Sequence, residues 1–269
     1  GLDPQTRRTA EFYTRLMTSA LSPSNNPLTN PEVVRETFKS NGSNLVEGMR
    51  QFSADLEKSG DMLTISQTDT SAFEVGRNLA MTPGKVVFEN DLIQLIQYAP
   101  ATDRVREVPL LIVPPWINKF YILDLTSQKS FVKYAVEQGF TVFLISWVNP
   151  DARLAHKSFE DYVSEGLLTA ADAVARETGV AKCSVLGYCI GGTLLGTTLA
   201  YLAARNEQRF ASATFLTTQF DFTLAGDLTI FTNDAVLSGL EAIMAERGYL
   251  DSSRIASVFN MMRPQDLIW

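Results

Sequence analysis

Five residues, Gly187-Tyr188-Cys189-Ile190-Gly191, hold the most direct chemistry in this sequence. Cysteine as a thiolate is a strong nucleophile, and the two glycines flanking it suit a tight turn, where a Cβ would block closure. A short strand-like run, Ser184-Val185-Leu186, leads into the pentapeptide, and a helix-compatible segment from Gly192 to Arg205 leads out of it. The pattern is the strand–turn–helix of a nucleophile elbow, G-x-S-x-G, with cysteine in the serine's place. Such a turn holds the nucleophile in a strained backbone conformation and delivers it to the N-terminus of the next helix. Unpaired N–H groups and the helix dipole there favour a thiolate. A cysteine so placed attacks an acyl carbonyl and forms a thioester that a second nucleophile resolves. Exchange between thioesters is nearly thermoneutral, which points to an acyl-thioester substrate.

The tetrahedral intermediate of that reaction needs two backbone N–H donors. One is expected from Ile190, directly after the nucleophile. The other is expected from the loop after an earlier strand, Pro114 to Lys119. Pro114 and Pro115 carry no N–H, so the donor is Trp116 or a residue just past it, and Ile117 is favoured. The plain alternative is that Pro-Pro merely ends a strand. The sequence contains one histidine, His156. It precedes the nucleophile, whereas triads in such folds run nucleophile, acid, histidine. Its setting, Arg153-Leu154-Ala155-His156-Lys157, reads as a solvated loop. The 80 residues after Cys189 (269 − 189) hold no histidine, so no complete triad is expected within these 269 residues. Asp221 follows a strand end, as some catalytic acids do, but without a histidine to orient it reads as a turn or capping residue. Cys183, at the base of the elbow strand, reads as a buried packing residue.

The length allows one large or two modest domains with a substantial core. A hydrophobic content of 45% with 20% charged residues describes an ordinary globular chain, and a net charge of −7 argues against nucleic acid as a partner. Two cysteines give neither a disulfide framework nor a metal pattern; no cofactor is expected, and a reducing cytoplasm fits. No apolar run approaches the span of a bilayer, and the N-terminus lacks the apolar core of a leader. The chain starts at Gly1 rather than Met, which suggests processing or a piece of something longer.

The elements that must position the cysteine follow from periodicity. Residues 1–80 read as a helical N-terminal domain. Asn30 is an expected N-cap, with Pro31 at the first helical position. Apolar positions from Val33 to Leu56 recur at helical spacing, with a break near Asn41-Gly42. From Pro83 the period changes. Val86–Glu89 and Leu92–Tyr98 bracket a turn at Asn90-Asp91. Strands are expected at 109–113, 141–147 and 213–217, with the short elbow strand at 184–186, and helices at 127–138 and 159–178. Strands alternating with helices after an opening hairpin predict an α/β fold, a mostly parallel sheet covered on both faces, across residues 81–217. Beyond Thr218 the pattern loosens: an aromatic, irregular stretch at 219–231, a candidate mobile lid, precedes helices at 233–247 and 252–262.

Six pieces carry a family resemblance: VFENDLIQLIQY at 87–98, PPWINKFYILDL at 114–125, SWVNPD at 146–151, FEDYVSEGLLTAADAV at 159–174, LGYCIGGT at 186–193 and RPQDLIW at 263–269. In this order the chain resembles the N-terminal part of polyhydroxyalkanoate synthases, class I enzymes in particular. The resemblance implies an α/β-hydrolase-like catalytic domain after a helical domain, with the later part of the sheet absent and residues 218–269 as the opening part of a cap or lid. It implies polymerisation of (R)-3-hydroxyacyl-CoA with release of CoA, which is part of the substrate rather than a cofactor. The polyester would grow as a thioester on Cys189. The family's catalytic aspartate and histidine lie in segments that follow RPQDLIW, so these residues alone are expected to be inactive. The family context also implies a homodimer in the cytoplasm, at the surface of polyester granules beside granule-associated proteins. Two other readings remain: a dienelactone-hydrolase-like enzyme, which shares a GYCxGG elbow, and a catalytically incomplete piece that binds granules or partners.

Overall fold

The computed structural model describes residues 1–59 and 65–268. They fall into two compact units: residues 1–70 with 225–240 and 251–269, and residues 71–224 with 241–250.

The first unit is helical, and its helices start where side chains can satisfy their first N–H groups. Asp3 caps the helix Pro4–Ala20 by accepting from the amides of Gln5 and Thr6, each at 3.0 Å. Asn30 caps Pro31–Lys39 in the same way, accepting from Glu32 at 2.8 Å and Val33 at 3.3 Å, with proline at the head as expected. The break before the helix Ser43–Lys58 falls at Asn41 and Gly42, both left-handed, with φ of 51° and 84°. Phe12 is buried and meets Phe231 edge-on, while Arg15 pairs with Asp227 at 3.0 Å. These contacts tie the first helix to the 3-10 stretch Gly226–Thr232. The helix Ser252–Met262 and the short turn Pro264–Leu267 complete the unit, and Gln265 donates to the Ser19 hydroxyl at 2.6 Å.

The second unit is built on a six-stranded sheet. A hairpin opens it: β1 (Gly84–Glu89) and β2 (Ile93–Tyr98) turn at Asn90, whose carbonyl Oδ1 accepts from the Leu92 and Ile93 amides, each at 2.9 Å. There follow β3 (Leu110–Val113), a small side ribbon of β4 (Asp124–Thr126) and β5 (Lys129–Ser130), then β6 (Val142–Trp147), β7 (Cys183–Tyr188) and β8 (Phe210–Leu216). The spatial order is β1-β2-β6-β3-β7-β8, antiparallel from β1 to β6 and parallel from β6 to β8. This is the predicted α/β class with a mostly parallel sheet. Its central strand β3 is apolar and buried throughout because both faces are covered. Leu111, Val113, Phe143, Ile145 and Val185 pack one face against Leu167, Val174 and Leu194. Leu110, Ile112, Val142, Leu144 and Leu186 pack the other against Val132 and Val136. β8 stands at the sheet's edge, with Ala211 to Phe215 exposed.

Several boundaries differ from the expectation; β8, for one, starts at Phe210 rather than at residue 213. The helix predicted at 127–138 is Phe131–Glu137, because Lys129-Ser130 first pairs back on β4 and the Ser130 hydroxyl then caps the helix at the Lys133 amide, 2.8 Å away. The helix at 159–178 is continuous but changes character, running as a π-helix over Tyr162–Leu168. The elbow helix begins at Ile190 rather than Gly192.

In the helical unit Asp55 is almost buried and accepts from the Ser66 hydroxyl at 2.5 Å and the Ser66 amide at 3.1 Å. These bonds hold its carboxyl below the ordinary aspartate range. A depressed folded value means the clasp stabilises fully above the unfolded value, about 3.9, and its contribution is lost as pH falls through the lower folded value. Asp55→Ala is therefore expected to lower the urea midpoint near neutral pH. The gap from the wild type should close progressively below about pH 4, and a gap that persists unchanged to pH 2 would exclude the carboxylate as its source.

Candidate active site

The site is organised at the carboxyl end of β7. Cys189 follows the strand with φ 54° and ψ −126°, a conformation rarely adopted by a residue with a side chain. It is half-buried. Its N–H donates to the Leu216 carbonyl at the end of β8, 2.9 Å away. Its carbonyl accepts from the amides of Gly192 at 2.9 Å and Thr193 at 3.3 Å. The peptide groups on both sides of the nucleophile are thus bonded, and the strain is held by the ends of two strands and the first turn of the helix Ile190–Ala204.

The flanking glycines do the steric work expected of them. A Cβ on Gly187 would fall on the Cα of Gly192, and one on Gly191 would fall against the Val113 carbonyl and 2.7 Å from that of Pro114. Two further glycines, not singled out from the sequence, matter as much. A Cβ on Gly192 would strike the Thr218 side chain, and one on Gly196 would strike the Phe220 ring. The signal available was glycine inside a helical pattern, which marks close approach by another part of the chain.

The expected oxyanion elements lie together at the same end of the sheet. β3 and β7 are parallel neighbours with Val113 paired to Gly187, so the Pro114 loop and the elbow leave side by side. Ile190 is the first residue of its helix, and its N–H donates to no protein group among the described residues. The same is true of the Trp116 and Ile117 N–H groups, whereas Asn118 N–H turns back to the Pro115 carbonyl at 3.3 Å. Aromatic rings back the loop: Trp116 lies 6.1 Å from Trp147 and 5.1 Å from Tyr162, centroid to centroid.

The remaining titratable groups stand apart from this arrangement. His156 is exposed in the loop after the 3-10 turn Ala152–Leu154, and no hydrogen bond joins it to Cys189. Asp221 is exposed and accepts from the Thr223 amide at 2.9 Å, a bond that holds its carboxyl below the usual range. That is a turn residue's role. Cys183 is buried at the base of β7, and burial pushes its thiol up to about 11, leaving it a packing group. Among the described residues no group of three or more His, Cys, Asp and Glu could hold a metal ion, and no single helix is long and apolar enough to cross a membrane.

Glycine at position 189 would relieve a strain of about 1–3 kcal/mol and lose about 0.5–1 kcal/mol to backbone freedom. Cys189→Gly is expected to raise stability in urea by up to about 2 kcal/mol. Gly191→Ala should lower it by about 1–3 kcal/mol, since its Cβ meets backbone that cannot rotate away. A destabilised Cys189→Gly variant would show the turn to be unstrained.

Comparison with known proteins places this geometry in a family. The family model for the N-terminus of poly-beta-hydroxybutyrate polymerase (PhaC) matches residues 1–135, half of the chain. The poly(3-hydroxyalkanoate) polymerase of Methylorubrum extorquens is 55% identical over all 269 residues, which cover 44% of that relative. The poly(3-hydroxyalkanoate) polymerase subunit PhaC of Rhizobium meliloti (strain 1021) is 52% identical, again over the whole chain and 44% of its own length. The chain thus spans less than half the length of these relatives. Among solved structures, one from a study of two fungal esterases from Rhizomucor miehei matches 72% of this chain and 57% of its own, at 14% identity and a TM-score of 0.41. The model match over half the chain, with relatives above 50% identity along all of it, is decisive: the chain belongs to the poly-beta-hydroxybutyrate polymerase (PhaC) N-terminus family.

Proposed function

We propose that the longer protein to which these residues correspond is a poly(3-hydroxyalkanoate) polymerase, an acyltransferase that grows a polyester from (R)-3-hydroxyacyl-CoA on Cys189. The observation that carries this reading is the strained, backbone-bonded cysteine at a helix start, in a chain whose relatives bear that name. A base removes the Cys189 proton and the sulfur attacks the substrate's thioester carbonyl. The oxyanion is held by the N–H groups of Ile190 and Ile117, a role supported by the lack of any protein partner for either among the described residues. The bond from carbon to the CoA sulfur breaks, CoA leaves with the proton returned by the base, and the acyl group stays on Cys189. The 3-hydroxyl of a further hydroxyacyl group then loses its proton to the base and attacks the Cys189 thioester. An ester bond forms, the carbon–Sγ bond breaks and the thiolate is regenerated.

The base, with its aspartate, is assigned to the part of the protein that follows residue 269, in keeping with the family resemblance. CoA is substrate and product, and no cofactor enters. The same reading places the protein as a homodimer at the surface of cytoplasmic polyester granules.

The test is CoA release from 3-hydroxybutyryl-CoA by the full-length protein, followed with a thiol reagent. Cys189→Ala should abolish it. Cys189→Ser should cut it at least about 100-fold, equivalent to about 2.7 kcal/mol of barrier, because a hydroxyl is the weaker nucleophile. The 269-residue chain alone should release none. Near-native turnover by either variant would overturn the covalent role.

A further inference from the structure

We propose that Trp147 is a positioning residue for acyl transfer: its indole N–H fixes the Pro114 carbonyl, and with it the loop that presents the second oxyanion donor. The inference rests on the acyltransferase reading and adds to it a residue outside the elbow and the loop.

Pro114 and Pro115 lack N–H groups, so this part of the loop cannot tie itself down by donating from its own backbone. The tie comes from β6. Trp147, its last residue, donates from Nε1 to the Pro114 oxygen at 2.8 Å, and the bond is buried. The other side of that peptide faces the elbow, where Gly191 leaves room for no Cβ beside the Pro114 carbonyl. The peptide leading into the donor loop is therefore held between an indole N–H and the nucleophile's own turn. Strand register alone would set β3, but it ends at Val113, one residue short of the loop.

The indole is itself held in place. A Cβ on Gly166 would lie 2.7 Å from its Cζ3 and Cη2 atoms, so glycine is required there. Gly166 sits inside the π-helical turn Tyr162–Leu168, and Tyr162 of that turn tilts against the indole at 5.3 Å. A π turn inserts a residue into a helix and widens it locally, a distortion frequent at functional sites. Here it accommodates the ring that sets the loop. Trp116 from the loop closes the group edge-on to Trp147.

A buried carbonyl left without its donor costs free energy, and the loop can recover it only by moving. Donor placement matters at the level of tenths of an ångström, and a displacement of about 1 Å can cost 100-fold in rate.

The experiment uses the full-length protein with two replacements: Trp147→Phe, and Trp147→3-benzothienylalanine, which keeps the ring shape and loses only the N–H. Three quantities are read: kcat and KM for CoA release from 3-hydroxybutyryl-CoA, the rate of Cys189 alkylation by iodoacetamide, and the thermal midpoint. Alkylation is a displacement at saturated carbon and makes no oxyanion, so it reports the thiolate and its access alone. Both variants are expected to lose about 10- to 100-fold in kcat. KM and the alkylation rate should stay within about twofold of the wild type. A benzothienyl variant with wild-type kcat, or one whose alkylation falls in parallel with kcat, would overturn the positioning role. An inactive wild type would overturn the acyltransferase reading together with this one; an active wild type with unaffected variants overturns this one alone.

Discussion

The backbone of Cys189 is the constraint on which the rest of the sheet unit depends. With φ at 54° the residue would relax out of the turn if its peptide groups were free. They are bonded to Leu216 on one side and to Gly192 and Thr193 on the other, so leaving the turn would break bonds at the end of β8 and in the first helical turn together. That grip requires backbones to approach more closely than side chains allow. Hence Gly187, Gly191 and Gly192 each face main chain or a Thr218 side chain at distances that exclude a Cβ. The strain at one residue is thus distributed over three neighbouring strands, β3, β7 and β8, whose buried faces make them stiff.

Sheet order explains why the site forms where it does. From β3 the chain crosses to β6 on one side, then returns past β3 to β7 on the other. Loops leaving the carboxyl ends of β3 and β7 therefore part to opposite sides, at the kind of switch point where open α/β sheets bind ligands. The Pro114 loop and the elbow leave from the two strands at that point, and β6 supplies the indole that holds the first of them. The Asn90 hairpin closes the far side of β6 and gives the sheet a short antiparallel flank. Function in this unit therefore depends on three strands being adjacent in space although the second and third are separated in sequence by more than a helix.

Much of this was legible in the chain because it is local. The glycine-flanked cysteine, the Asn30-Pro31 helix start, the Asn90 turn and the apolar runs of the inner strands each follow from a few adjacent residues whose preferences agree with the fold. What escaped detection depends on partners distant in sequence. Gly166 reads as a weak point in an amphipathic helix until Trp147 is seen in the space beneath it. Gly192 and Gly196 read as small residues at the head of a helix until Thr218 and Phe220 close over them. Ser130 caps the helix that was expected to start at Ser127 only because Lys129-Ser130 pairs with β4, a two-residue contact too short to leave a period. Periodicity reports which face of an element is buried; it carries no information about which residue fills a given gap.

The same burial logic sets β8 apart from the strands beside it. β3 and β6 are covered on both faces, as strands inside a parallel sheet are, whereas β8 leaves Ala211 to Phe215 exposed although it is parallel to β7 and bonded to Cys189 through Leu216. The strained turn is therefore anchored on the least covered strand of the parallel set, and movement of β8 would pass directly to the Cys189 amide.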